Sequence, residues 1–153
     1  MSRFRQASDK VVLNFDDAVL YESELELFAP GQWLNDMIIN FGFRFLDREI
    51  RNDSVLLMDP AVYSFMMLQC QEEEELAELR RSLRLAERSL VLIPINDAAD
   101  FTCHRGTHWS LLAYRPADKR LFQHFDSQPT SMHSWIAAPL AADKLTRVLT
   151  GKF

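Results

Sequence analysis

The 153-residue chain has only two cysteines, Cys70 and Cys103, too few for a disulfide framework and in keeping with a reducing compartment. It has no block of basic residues and a formal net charge of −5, which makes nucleic acid a poor candidate partner. No apolar run approaches bilayer-spanning length, and Met1 to Lys10 is polar where a secretory leader would be hydrophobic. Internal repeats and low-complexity linkers are also missing. These absences predict a soluble protein of the cytoplasm, the nucleus or both, with no membrane or nucleic-acid partner; a monomer is the expected state. What is present is enough for a core: 48% of the residues are hydrophobic. The expected organisation is a flexible tail over 1–10 and a single domain over 11–153.

Taken in order, Val11-Val12-Leu13-Asn14-Phe15 reads as a short strand, and Asp16 to Phe28 as a loop with one helical turn. Ala29-Pro30-Gly31-Gln32 is turn punctuation. Trp33 to Ile50 has helical periodicity with apolar residues around much of its circumference, so a central, largely buried helix is expected. Val55 to Met58 is extended, and Asp59-Pro60 can cap and start a helix that buries Val62, Phe65, Met66 and Cys70. Gln71 to Arg88 is amphipathic, with Leu76, Leu79, Leu83 and Ala86 in one stripe, glutamates in front and arginines behind. Ser89 to Ile95 suits a strand buried on both faces. Pro139 to Thr150 suits a final helix with Leu140, Leu145, Val148 and Leu149 inward and Gly151 as its cap.

The most informative stretch is Gly106-Thr107-His108-Trp109-Ser110-Leu111-Leu112-Ala113-Tyr114 with its echo Leu121-Phe122-Gln123-His124-Phe125-Asp126-Ser127. Each half reads as a strand, and Arg115 to Arg120 between them is turn chemistry. A hairpin centred on Ala117 sets His108 opposite Asp126 at its open end, with Cβ atoms about 4.5–5.5 Å apart. A carboxylate there can hold the imidazole in one tautomer and stabilise its charged form, as a nucleophile–His–Asp relay requires. A one-residue slip would separate them onto opposite faces. The plainer alternative is that both are solvated hairpin ends.

Trp33-Leu34-Asn35-Asp36, the strand ending in Ile95-Asn96-Asp97, Gly106 to Leu112 and His124-Phe125-Asp126-Ser127 follow one another in an order that resembles the ubiquitin-like-modifier proteases. These are the SUMO-specific and deneddylating thiol proteases of the papain-like superfamily, and the wording here is most similar to the deneddylase branch. The resemblance runs from about Val11 to Gly151. It implies an α+β, papain-like fold: a short antiparallel sheet packed with helices. It implies a hydrolase of the cysteine-type peptidase kind that processes ubiquitin-like proteins, by deneddylation first and deSUMOylation next. His108 would be the general base and Asp126 its orienting partner. Trp33 and Trp109 would wall a tunnel for the modifier's Gly-Gly tail, where indoles leave no space for a bulkier residue. Asp36 would meet a basic residue of that tail. The tryptophans have an alternative reading as core packing. The implied partners are a ubiquitin-like modifier and its conjugates, with no cofactor and no metal.

The family's nucleophile sits well after the His–Asp hairpin at a helix N-terminus, where dipole and imidazole lower the thiol pKa. After Asp126 these 153 residues hold no cysteine, and the only glutamine there is Gln128. The expectation is therefore a domain truncated at its C-terminus, holding base and orienter without nucleophile, and inactive by itself. The alternative is a non-catalytic module that binds a ubiquitin-like modifier. Cys103, five residues before His108, and Cys70, on a buried stripe, are poor substitutes. Cys103, His104 and His108 could approach one another around a metal, but no fourth ligand is evident.

Overall fold

The computed structural model describes residues 9–96, 108–118, 121–128 and 132–150, with side chains over 136–149 in the last segment. The backbone forms two compact units, Met1–Arg51 and Asn52–Phe153.

In the first unit, β1 (Val11–Phe15) is the strand its sequence predicts, and it pairs antiparallel with β2 (Ala18–Tyr21). The second strand was not expected. Asp16 and Asp17 have φ of 45° and 67°, the paired left-handed conformation that closes a two-residue hairpin and that a short polar side chain tolerates. The acidic pair is thus the turn, and Ala18 and Leu20 alternate inward behind it. A short helix α1 (Glu22–Leu25) and a 3-10 turn (Glu26–Phe28) follow.

Ala29-Pro30-Gly31-Gln32 closes a turn in which the Gln32 amide donates to the Ala29 carbonyl at 3.2 Å. Gly31 has φ +78°, the left-handed geometry that a proline-led type II turn requires at its third residue. Helix α2 spans Asp36–Ile50, so it starts three residues later than its periodicity suggests. The reason is its cap: Asn35 Oδ1 accepts the Ile38 amide at 3.0 Å, and Asn35 itself is extended. The expectation of a largely buried helix also fails. Ile38 is its one buried side chain, whereas Phe45, Leu46 and Ile50 are exposed. Within its unit the helix packs on β1 and β2, and two strands cover only one stripe. Along that stripe the Phe15 ring meets Phe41 edge-on at 6.0 Å, with the Arg48 guanidinium 5.0 Å from the Phe15 centroid.

The second unit is built on a four-stranded sheet in the order β3 (Val55–Leu57), β4 (Leu90–Asn96), β5 (Trp109–Tyr114), β6 (Phe122–Phe125). The expected antiparallel sheet is present over β4, β5 and β6, and β3 joins β4 in parallel. A parallel pair needs a long crossover, which α3 (Pro60–Leu68) and α4 (Glu73–Ser82) supply. Asp59 caps α3 as predicted, accepting the Ala61 amide at 2.7 Å with Pro60 at the first position. Of its expected apolar contacts, Met66 and Cys70 are fully buried but Phe65 is exposed.

Helix α4 ends at Ser82, short of the predicted Arg88. Arg84 turns left-handed at φ 51°, and a 3-10 turn (Leu85–Glu87) brings Leu85 rather than Ala86 into the core. No glycine marks that break, so the sequence pattern runs through it. Helix α5 covers Met132–Thr150 and holds Pro139 in its interior instead of at its start. Ala138, Ala141, Leu145 and Val148 form its buried stripe, while Leu140, expected inward, is exposed. The Gly151 cap lies outside the described residues. Leu145, at 0% exposure, is worth about 1.5–3 kcal/mol of burial on its own. With β4 (Val91, Ile93 and Ile95 all sealed) and Met58, Tyr63 and Leu76, this stripe makes the core that holds the β5–β6 hairpin in place.

Candidate active site

The β5–β6 hairpin pairs Leu111 with Phe125, Leu112 with His124, Ala113 with Gln123 and Tyr114 with Phe122. Its centre is therefore Asp118, one residue beyond the Ala117 that the spacing suggests. The tip explains the difference: the Asp118 amide returns to the Arg115 carbonyl at 3.1 Å, and the Arg115 amide donates to Leu121. Moving the centre by one residue moves the register by two, so the parity of side chains is kept. His108 and Asp126 become diagonal neighbours instead of direct opposites, still within reach of each other.

They meet. His108 Nε2 lies 2.5 Å from Asp126 Oδ1, and each side chain is 7% exposed. Solvated hairpin ends do not describe this pair. The hairpin also carries a Ser110 Oγ–His124 Nε2 hydrogen bond at 2.9 Å and the neighbouring rings of Tyr114 and Phe122, centroids 5.3 Å apart. These contacts support the register that brings Asp126 to His108.

The carboxylate has a further restraint that sequence reasoning missed. Asp126 Oδ1 also accepts the Gln128 amide at 2.7 Å, an Asx turn that sets the side-chain rotamer. The signal was available, since an aspartate at the start of a polar loop often bonds the amide two residues on. An ionised carboxylate can only accept, so the proton of the shared bond is assigned to Nε2. The neutral imidazole then has its basic lone pair on Nδ1. A proton taken there produces an imidazolium that Asp126 stabilises through a charge-assisted bond.

Trp109 opens β5, half-buried, with Asn96 of β4 as its backbone partner. Trp33 and Asp36 belong to the N-terminal unit. Trp33 is 58% exposed on the connection between the Gly31 turn and the Asn35 cap, so core packing does not account for it. Asp36 is the first residue of α2, whereas Trp33, expected within the same helix, precedes it.

Of the two thiols, Cys70 is sealed at 0% exposure just past α3, and its backbone carbonyl accepts a hydrogen bond from buried Lys144. Burial pushes the Cys70 thiol up and the Glu75 carboxylate adds to the shift, with Lys144 opposing. A thiol held neutral and inaccessible is structural. Cys103 and His104 lie outside the described residues. Among the described residues no group of three His, Cys, Asp or Glu side chains could hold a metal.

An α+β arrangement of sheet and helices thus carries a carboxylate-held imidazole at a hairpin end. The fold matches the crystal structure of a de-sumoylating protease with a TM-score of 0.58 at 16% identity, over 95% of this chain and 56% of that one. No protein-family model matches. Among curated proteins, the chain is 36% identical over 148 residues to sentrin-specific protease 8 of Homo sapiens, covering 94% of this chain and 67% of that protein. Sentrin-specific protease 8 of Mus musculus matches equally, with 64% of its length covered. NEDD8-specific protease 1 of Arabidopsis thaliana is 30% identical over 135 residues, 88% of this chain and 58% of that protein. The chain belongs to the ubiquitin-like-modifier protease family, and spans roughly two thirds or less of each of these relatives.

Proposed function

We propose that these residues are part of a cysteine-type isopeptidase that removes a ubiquitin-like modifier after its terminal Gly-Gly, with NEDD8 the first modifier to consider and SUMO the second. The observation that carries the reading is the buried contact of His108 with Asp126. In the proposed reaction Nδ1 of His108 takes a thiol proton, and the thiolate attacks the carbonyl carbon of the modifier's last glycine. The protonated His108 then returns that proton to the departing amine, leaving a thioester that water hydrolyses. Asp126 holds the ring and stabilises its cationic form in both steps. Exposed Trp33 and half-buried Trp109 are the proposed contacts for the glycines, and Asp36 for a basic residue of the same tail. Glycine is selected because an indole pressed on the backbone excludes any side chain.

The nucleophile is proposed to come from outside these 153 residues. Sealed Cys70 supports this, since its thiol is pushed away from the thiolate form. That observation also favours a second reading for the 153 residues as an isolated polypeptide, a module that grips a modifier without cleaving it. The test is a modifier carrying a thiol-reactive group in place of its terminal carboxylate. Incubated with the protein expressed from its complete gene, the NEDD8 form should give one adduct on a cysteine that is neither Cys70 nor Cys103. An adduct on Cys103, or reaction with the SUMO form alone, would overturn the assignment of nucleophile or modifier respectively.

A further inference from the structure

Glu24 is a charged side chain with only 8% exposure. Both of its oxygens are used. Oε2 accepts the Tyr21 amide at 2.9 Å, and Oε1 accepts Asn35 Nδ2 at 3.2 Å. Asn35 in turn uses its own Oδ1 to accept the Ile38 amide at the start of α2. The chain of contacts runs from the end of β2, through the carboxylate, to the helix cap. Between the Gly31 turn and this cap lies the short connection that presents Trp33, and just after the cap comes Asp36.

An amide side chain has a donor end and an acceptor end, and either can face either way. Only the acceptor end can cap α2. Glu24 decides the matter, because an ionised carboxylate offers no donor and so draws the NH2 end of Asn35 to itself, turning Oδ1 toward Ile38. We propose that Glu24 is the positioning residue of the modifier grip: its acceptor-only carboxylate fixes the orientation of Asn35, and through it the placement of Trp33 and Asp36. This rests on the reading of Trp33 and Asp36 as tail contacts.

An exchange of acid and amide between the two positions tests it. In Glu24→Gln, the remaining carbonyl oxygen still accepts from Tyr21, but the introduced NH2 faces the NH2 of Asn35. Flipping Asn35 only moves the donor–donor clash to Ile38. In Asn35→Asp, two carboxylates face one another. The double variant, Glu24→Gln with Asn35→Asp, restores every bond. At position 24 the amide oxygen accepts the Tyr21 amide, and at position 35 the carboxylate accepts from both the introduced NH2 and the Ile38 amide. Net charge equals that of the wild type.

The experiment titrates NEDD8 against the protein expressed from its complete gene, at a temperature where each variant is folded. Hydrogen exchange at the Ile38 amide is followed without ligand. Each single variant should weaken binding about tenfold, the equivalent of one bond lost with its donor or acceptor left unpaired. Glu24→Gln should also lose Ile38 protection, and the double variant should recover both binding and protection. Single variants that bind like wild type, or a double variant no better than the singles, would overturn the role of Glu24. Absence of NEDD8 binding by the wild type, or binding unchanged in Trp33→Ala, would instead sink the tail-contact reading and the inference with it.

Discussion

Substituting Asp126 by asparagine separates the charge of the carboxylate from its geometry. In the native structure Oδ1 receives both His108 Nε2 and the Gln128 amide, at 2.5 and 2.7 Å. An asparagine carbonyl can occupy the same position and accept both. Rotating the amide would aim a donor at two donors, so the Gln128 amide holds the carbonyl toward the imidazole and preserves its tautomer. What Asp126→Asn removes is the charge opposite the imidazolium. A hydrogen bond to a charged group is worth about 1.5–3 kcal/mol against about 1 for a neutral one. The difference, about 0.5–2 kcal/mol, converts to a loss of about 2- to 30-fold in kcat/KM. Asp126→Ala removes the acceptor altogether and lets the ring change tautomer, for which a loss of about 10³-fold or more is expected. The assay is hydrolysis of a NEDD8–fluorophore conjugate by the protein expressed from its complete gene. An asparagine variant as impaired as the alanine variant would refute the shared-acceptor clamp. If both retained wild-type turnover, Asp126 would have no part in the chemistry.

Three further expectations concern the scaffold. Iodoacetamide should label Cys70 only as fast as the protein unfolds, and a rate insensitive to urea would contradict its burial. Glu75 accepts the Glu72 and Gln71 amides, which hold its carboxyl below the ordinary value of 4.5. A depressed carboxylate contributes stability that is present above its unfolded pKa and lost as pH falls through its folded pKa. The Tm difference between wild type and Glu75→Ala should therefore be steady at neutral pH and shrink in acid; a gap that widens in acid would reverse the sign. Leu145→Ala should cost about 2–5 kcal/mol in denaturant unfolding, since its site is fully enclosed; a cost below about 1 kcal/mol would mean that the site collapses around the smaller side chain.

Much of this site is legible because a strand has period two. A hairpin centred on Ala117 is one residue early, yet an error of two in register returns every side chain to its own face, so the meeting of His108 and Asp126 survives it. The tip conformation that sets the true register depends on where the Arg115 carbonyl is bonded, which composition does not encode. β2 escapes a sequence reading because two adjacent aspartates resemble a solvated loop, and only their left-handed φ values make them a turn. The α4 break at Arg84 has no glycine or proline to announce it, and coincides with the burial of Leu85. The longer α5 departs from the rule that a proline starts a helix: Pro139 sits between buried Ala138 and exposed Leu140, at the edge of the stripe. Glu24 is invisible for a different reason. In sequence it is one acidic residue among several, and only the fold of its unit places it against Tyr21 and Asn35.

The central claim is that His108 is the base of a modifier isopeptidase. It is tested most directly by His108→Gln in the protein expressed from its complete gene, with NEDD8–fluorophore hydrolysis and NEDD8 affinity measured on the same preparation. Turnover should fall by about 10³-fold or more in the variant, while NEDD8 binding is retained. Hydrolysis by His108→Gln at the wild-type rate would contradict the claim.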